Sequence, residues 1–444
     1  MIKHKSISIA FLIAGAMAAS GCGVLKGKSG PKTPVLGQRI AVLTSEGDVE
    51  VDPATAALPM TLPAPVANTE WTQSGGNAAK SMGQLALGGN LTRAFSVNAG
   101  RGSSLTARLA SAPVVANGRV FTMDTLGTVR AFDARTGSQA WASQTPADKG
   151  SAAEMYGGGI AYDAGRIFAT NGVGYVAALD ERTGGIIWKV RPGGPLRGAP
   201  SVGNSAVYVI SQDNQIYSLA EDTGATQWSA AASLEIAGVF GSASPAVGQG
   251  TVVAGFSSGE LNAYRYENAR QVWSDTLQRT SIRTSVSSLS DVDADPVIDN
   301  GQVFAVGQGG RMVALDLLTG QRLWELNVAG IDTPWLAGDW LFVITDDAKL
   351  ICIYRQNGHI RWINQLPQFA KAKAKKGEIE YSGPVLAGNR LIVTGSNGAL
   401  IFVDPQTGSF QGQTRLPAAA SLPPVVANST LYVYDDRGQL HAYR

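Results

Sequence analysis

One unit recurs along this 444-residue chain: Pro, a turn with Gly or Asn, two apolar residues, a turn ending in Gly, then an alternating stretch that closes on Asp, Thr-Gly and Trp. The clearest copy runs Pro113, Gly118, Val120-Phe121, Gly127, Val129, Ala131, Asp133, Thr136-Gly137, Trp141, and a second nearly ideal copy runs from Pro296 through Asp316 and Thr319-Gly320 to Trp324. Other copies end at Trp188, Trp228, Trp273 and Trp362, and one ends at Phe410. Successive motif tryptophans lie 47, 40, 45, 51 and 38 residues apart, the range of four-stranded propeller blades. Runs with period-two alternation sit between Gly turns, and no stretch sustains a 3.6 period, so the class is all-β.

The end of the chain bears on closure. Residues 424–444 carry Pro424, Leu431-Tyr432, Gly438 and Leu440, then stop before any Asp, Thr-Gly or Trp. Trp71, by contrast, has no strands before it. The economical reading is an eight-bladed β-propeller over residues 68–444, seven blades continuous and the last shared, with an N-terminal strand around Trp71 completing the C-terminal blade.

The motif itself is structural. An Asp three residues before Thr suits a tight hairpin in which the carboxylate accepts turn amides and the Gly takes a positive φ. The Trp beyond it packs between blades, burying roughly 150 to 250 Å², grossly about 4 to 6 kcal/mol. Asp133, Asp180, Asp316 and Asp404 are therefore expected as turn residues and not as catalytic acids. Trp335 and Trp340 fall outside the motif position and are expected in blade packing.

Lys3 and Lys5 precede an apolar run from Ile7 to Ala19, too short to span a bilayer, and Ala19-Ser20-Gly21 supplies small residues before Cys22. Residues 1–21 read as an export leader. A small-residue site ending at a cysteine has the form of a bacterial lipoprotein signal with Cys22 as the lipidated first residue; the other reading is an ordinary secretory leader. The chain has only two cysteines, and Cys352 lies in the apolar run Leu350 to Tyr354, so no disulfide is expected. Residues 22–67, rich in Gly, Pro, Lys and small side chains, read as a tether. Gly23 after the cysteine, in place of an inner-membrane retention Asp, points to the periplasmic face of the outer membrane.

Without Lys3 and Lys5 the chain holds 34 basic and 34 acidic residues, which speaks against nucleic acid as a partner. His4, His359 and His441 form no metal-ligand spacing. Neither a Cys/His nor a Ser/His arrangement is readable. Gly157-Gly158-Gly159 and Gly309-Gly310 lack the helix and Lys of a phosphate loop and read as blade turns. Lys371, Lys373, Lys375 and Lys376 lie in a long insertion between Trp362 and Pro384, a solvated loop or a surface for lipid headgroups or an acidic partner.

The Ala-x-Asp-x-x-Thr-Gly-x-x-x-Trp unit resembles the repeat of propellers built like the quinoprotein (PQQ) alcohol dehydrogenases. Those enzymes set a vicinal cysteine pair against the quinone and supply calcium ligands; this chain has no Cys-Cys, and no cofactor is expected. Leu289-Ser290-Asp291-Val292-Asp293, followed by Pro296-Val297 and Asn300-Gly301, is similar to the BamB family, lipoprotein propellers of the outer-membrane β-barrel assembly machinery. The resemblance implies a non-enzymatic scaffold, anchored by lipid, that docks on the barrel subunit BamA beside other barrel-assembly components and assists unfolded outer-membrane proteins. It also implies that an acidic pair and an aliphatic-plus-Arg loop contact BamA. Asp291 and Asp293 match the pair; Ala237, Val239 and Phe240 correspond approximately to the loop, without its Arg. Read as an extended segment, residues 291–293 would face both carboxylates outward and tuck Val292 inward. The second reading is a periplasmic PQQ-dependent-dehydrogenase-like enzyme or sugar-binding propeller.

Overall fold

The computed structural model describes residues 49–196, 198–234, 243–278 and 291–444. The leader, Cys22, Ala237, Val239 and Phe240 lie outside them. Among the described residues, eight four-stranded antiparallel sheets follow one another, spanning 114–144, 160–190, 201–231, 246–276, 297–326, 335–365, 381–415 and 425–443, the last completed by Arg93–Asn98. These are blades one to eight. The first two strands of a blade are buried almost throughout, while in blades one to five the fourth is largely exposed except at its buried Trp, as in Gln139–Gln144.

The motif packs as its chemistry dictates. Oδ1 of Asp133 accepts the Thr136 amide at 2.7 Å and the Thr136 hydroxyl at 2.8 Å, and Asp180, Asp316 and Asp404 repeat the arrangement with their own threonines. These bonds hold the carboxyls of Asp133, Asp180 and Asp316 below the usual range. Each motif Trp reaches the next blade: Trp141 Nε1 donates to the Glu181 carbonyl at 2.9 Å, and Trp273 to that of Leu317 at 2.8 Å. Gly184, at φ 72°, lies under the previous blade's indole, where a Cβ would come within 2.6 Å of Trp141. The motif Gly thus serves both the turn and the seam between blades. Trp335 and Trp340 are buried, as expected.

Closure differs from the expectation in one respect. The strand that completes blade eight is Arg93–Asn98, paired antiparallel with Gln439–Tyr443, and Trp71 is not part of it. Phe95 takes the place of a motif Trp there, packing on Tyr432 and lying 2.7 Å from where a Gly137 Cβ would stand. Cross-strand, Ser96 Oγ lies 2.9 Å from His441 Nδ1, and His441 Nε2 lies 2.9 Å from Asp435 Oδ2, a buried polar relay that fastens the joint.

Residues 49–67, which composition reads as tether, lie on the propeller. Val51 forms a parallel bridge with Ile360 on the outer edge of blade six, the one-turn helix Pro53–Ala56 follows, and Arg361 holds the Leu58 carbonyl at 2.6 Å. The chain then passes Gly338 at Pro63 and enters the axis of the ring.

Candidate functional site

Asn68 to Leu85 circles inside the ring and bonds to every blade. Trp71 exchanges both backbone hydrogen bonds with Val115 at 2.8 Å, and Thr72 accepts the Tyr162 amide at 2.7 Å. Gln73 serves blade three with its side chain, donating to the Val202 carbonyl at 3.2 Å and accepting the Val202 amide at 3.0 Å. Ala78 and Ala79 accept the amides of Val247 and Ile298 at 2.8 and 2.9 Å, and Gly83 accepts Trp335 Nε1 at 2.8 Å. Leu85 pairs with blade seven through Leu386 and Gly388, and Asn68 with blade eight through Asn428 and Val426. The innermost strands are sheet edges, and this segment supplies partners that would otherwise be missing at the axis.

The upper face carries the connections between the outer strand of one blade and the inner strand of the next. There a funnel of about 170 Å³ opens on the axis, with Trp71, Gln73 and Lys80 as its floor and Asp293, Asp295 and Asp332 in its wall. Trp71 stacks on Trp335, centroids 5.9 Å apart and planes at 17°. Lys80 is fully buried, its Nζ donating to Ser201 Oγ at 3.0 Å and lying 4.0 Å from Asp295 Oδ2. Desolvation pushes Lys80 down to about 8, opposed by Asp295, and pushes Asp295 up, opposed by Lys80. The Asp332 carboxyl accepts the Gly383 amide at 3.1 Å yet is raised to about 7 by its desolvated position in the funnel. Burial thus works against the charged form of Asp295 and Asp332, and Lys80 is the one ammonium among the lining residues to oppose it.

The segment carrying the acidic pair belongs to this wall. Val292 is buried as expected, but Asp291 and Asp293 are not presented outward: they are 1% and 8% exposed. The reason is that the segment is no free loop. Its Val292 amide donates to Phe256 O at 3.2 Å, its Asp291 carbonyl accepts the Gln308 amide at 2.9 Å, and the Asp295 amide donates to Thr333 Oγ1 at 3.2 Å. Turns of blades four and five and the connection leading into blade six therefore hold the segment, and Asp293 lines the funnel. Val239 and Phe240 belong to the connection between blades three and four, outside the described residues. Cys352 is buried, as its apolar run implies.

Sequence reasoning missed the axial segment, Lys80 and Asp295. Among the described residues, no three His, Cys, Asp or Glu side chains converge as metal ligands, and no helix is long and apolar enough to cross a membrane.

A family model described as outer membrane protein assembly factor BamB matches residues 102–153 and, in an overlapping second match, 125–364. A relative of that description from Moranella endobia (strain PCIT) is 23% identical over 334 residues, 74% of this chain and 84% of the relative. The crystal structure of BamB from Moraxella catarrhalis superposes with a TM-score of 0.67 at 20% identity, covering 80% of this chain and all of that one. A europium-containing methanol dehydrogenase superposes with a TM-score of 0.66 at 14% identity over 84% of this chain and 98% of that one.

Proposed function

Because the chain belongs to the BamB family of outer membrane protein assembly factors, we propose that it is a non-enzymatic scaffold of the barrel-assembly machinery, held at the periplasmic face of the outer membrane through lipidated Cys22. It docks on the barrel subunit BamA and keeps unfolded outer-membrane proteins near the site of insertion. The observation that carries this reading is the match of the family model through residue 364, which includes the segment Leu289 to Asp293.

The likeness to methanol dehydrogenase extends to the blades. At the axis, this chain places its own Trp71, Gln73 and Lys80, bonded to the inner strands. The sequence also has no Cys-Cys pair of the kind that the quinoprotein resemblance sets against the quinone, and this favours the scaffold over the quinoprotein-like enzyme.

For docking, the upper face at the seam between blades four and five is the proposed surface, with Asp293 in the funnel wall and Val239 and Phe240 on the preceding connection. Asp291, more deeply covered, holds the segment in place. The test is a pull-down of the barrel subunit from detergent-solubilised membranes with Asp293→Ala and, separately, Val239→Ser with Phe240→Ser. Loss of the subunit with an unchanged melting temperature supports the surface; full recovery with both variants rejects it.

A further inference from the structure

The insertion between Trp362 and Pro384 is a projecting hairpin. Phe369–Lys371 pairs with Lys376–Glu378 in a two-stranded sheet of its own, apart from the blades, and residues 370–378 are all exposed. Its register sets Lys371 directly opposite Lys376, and the turn between them carries Lys373 and Lys375. Like charges directly across a ladder repel. None of the four ammonium groups is paired with a carboxylate among the described residues. The hairpin thus concentrates positive charge that its own fold does not neutralise.

Two neighbouring features narrow what would neutralise it. Arg108 Nη1 lies 3.4 Å from Glu380 Oε2, which ties the loop bearing the fully exposed Leu105 to the base of the hairpin. Leu105, three residues before Arg108, is thus an exposed apolar side chain on a loop tied to the base of the hairpin. The second feature is where the described chain begins. Val49 to Asp52 lie against the outer strand Ile360–Gln365 of blade six at its Ile360 end. The hairpin follows the opposite end of that strand, some 17 to 20 Å away at about 3.3 Å per residue. Cys22 and Val49 are 27 residues apart, a contour of at most ~95 Å. The chain from Cys22 thus joins the propeller on the same blade that carries the hairpin, and its contour is long enough for the hairpin to reach the bilayer that holds Cys22.

We infer that the Lys371 to Lys376 hairpin, with Leu105, is a contact for anionic phospholipid, seating blade six on the membrane that holds the lipid anchor. The inference rests on the lipidation reading above. Headgroup phosphates pair with the four ammonium groups, which outnumber the neighbouring carboxylates of Glu378 and Glu380, and Leu105 adds an apolar contact at the acyl boundary.

The test uses the mature chain with Cys22→Ser, which removes the lipid from the measurement. It is sedimented with vesicles of phosphatidylglycerol mixed into phosphatidylcholine, or of phosphatidylcholine alone. Binding at least about tenfold stronger to the anionic vesicles, lost at high salt, is expected for four lysines near a charged surface. Lys371→Gln, Lys373→Gln, Lys375→Gln and Lys376→Gln together should bring it to the phosphatidylcholine level with an unchanged melting temperature. Lys373→Glu with Lys375→Glu, both outside the ladder, should do the same without disturbing the hairpin. Equal binding to both vesicles, or undiminished binding by both variants, overturns the proposal. So does a variant that keeps its lipid preference but loses an acidic protein partner. Failure of the anchor reading shows elsewhere, as a membrane-purified protein whose N-terminal mass lacks acylation of Cys22.

Discussion

The carboxamide of Gln73 completes both backbone hydrogen bonds of Val202, at 3.0 and 3.2 Å, so that one side chain does for blade three what the main chain of Trp71 does for Val115 in blade one. Gln73 and Val202 are both buried. Leaving a buried amide or carbonyl without a partner costs about 1 to 3 kcal/mol. Gln73→Leu, similar in volume but unable to donate or accept, should destabilise the protein by about 2 to 4 kcal/mol in denaturant unfolding. A change under about 0.5 kcal/mol would mean that water replaces the amide and that the axial segment is not needed at blade three.

The same segment sets where truncation begins to matter. A chain starting at Val49 keeps every contact described, and its melting temperature should equal that of the complete mature protein. A chain starting at Leu91 keeps the closing strand Arg93–Asn98 but loses the axial partners of eight inner strands. It should unfold at markedly lower temperature and expose apolar surface to a dye, since sheet edges facing an empty axis lose both bonds and packing. Equal melting of the two truncations would assign ring stability to the blades alone.

The contrast between these parts explains what could be read in advance. Asp133 and Thr136 are three residues apart, and their bond is local, so the turn is written in the sequence at each repeat. The indole-to-carbonyl bond of Trp141 to Glu181 joins neighbours 40 residues apart that recur in register, and the period discloses it. Asn68 to Leu85 instead serves each blade with only one or two bonds, some from main chain and some from side chains. Such a path leaves neither period nor composition behind. Trp71 misleads for the same reason: elsewhere a Trp marks an outer strand, whereas here it stacks on Trp335 at the axis. In the true closing strand the aromatic is Phe95, and the signal available was its alternation with Val97. At Asp291 and Asp293 the alternation with Val292 was legible, but the turns of neighbouring blades that cover the segment were not.

Asp332 makes stability depend on pH. Its folded value of about 7 lies above the ordinary 3.8, so the native state binds the proton more tightly than the unfolded chain. Its contribution is then fully present below pH 3.8 and is lost as pH rises through 7. Asp332→Asn should remove this slope, gaining about 2 to 4 kcal/mol over wild type at pH 8 relative to pH 4. Parallel stability curves for the two proteins across that window would show that the Asp332 carboxyl stays hydrated.

Lys80 and Asp295 offer the sharpest test of how the axis is held. Both side chains are buried, and Lys80 Nζ lies 4.0 Å from Asp295 Oδ2, while the Asp295 Oδ1 accepts the Ser244 amide at 2.6 Å. Removing one member strands the other: Lys80→Met should cost about 3 to 5 kcal/mol because a carboxylate remains in a desolvated wall. The loss should shrink in acid, where Asp295, already raised by burial, takes a proton and needs no counter-charge. Lys80→Met combined with Asp295→Leu should restore most of the stability, since apolar pairs often replace buried ion pairs at little cost. A double variant no more stable than Lys80→Met would instead show that the pair directs the course of the axial segment, with the ammonium to Ser201 Oγ contact at 3.0 Å as its anchor on blade three.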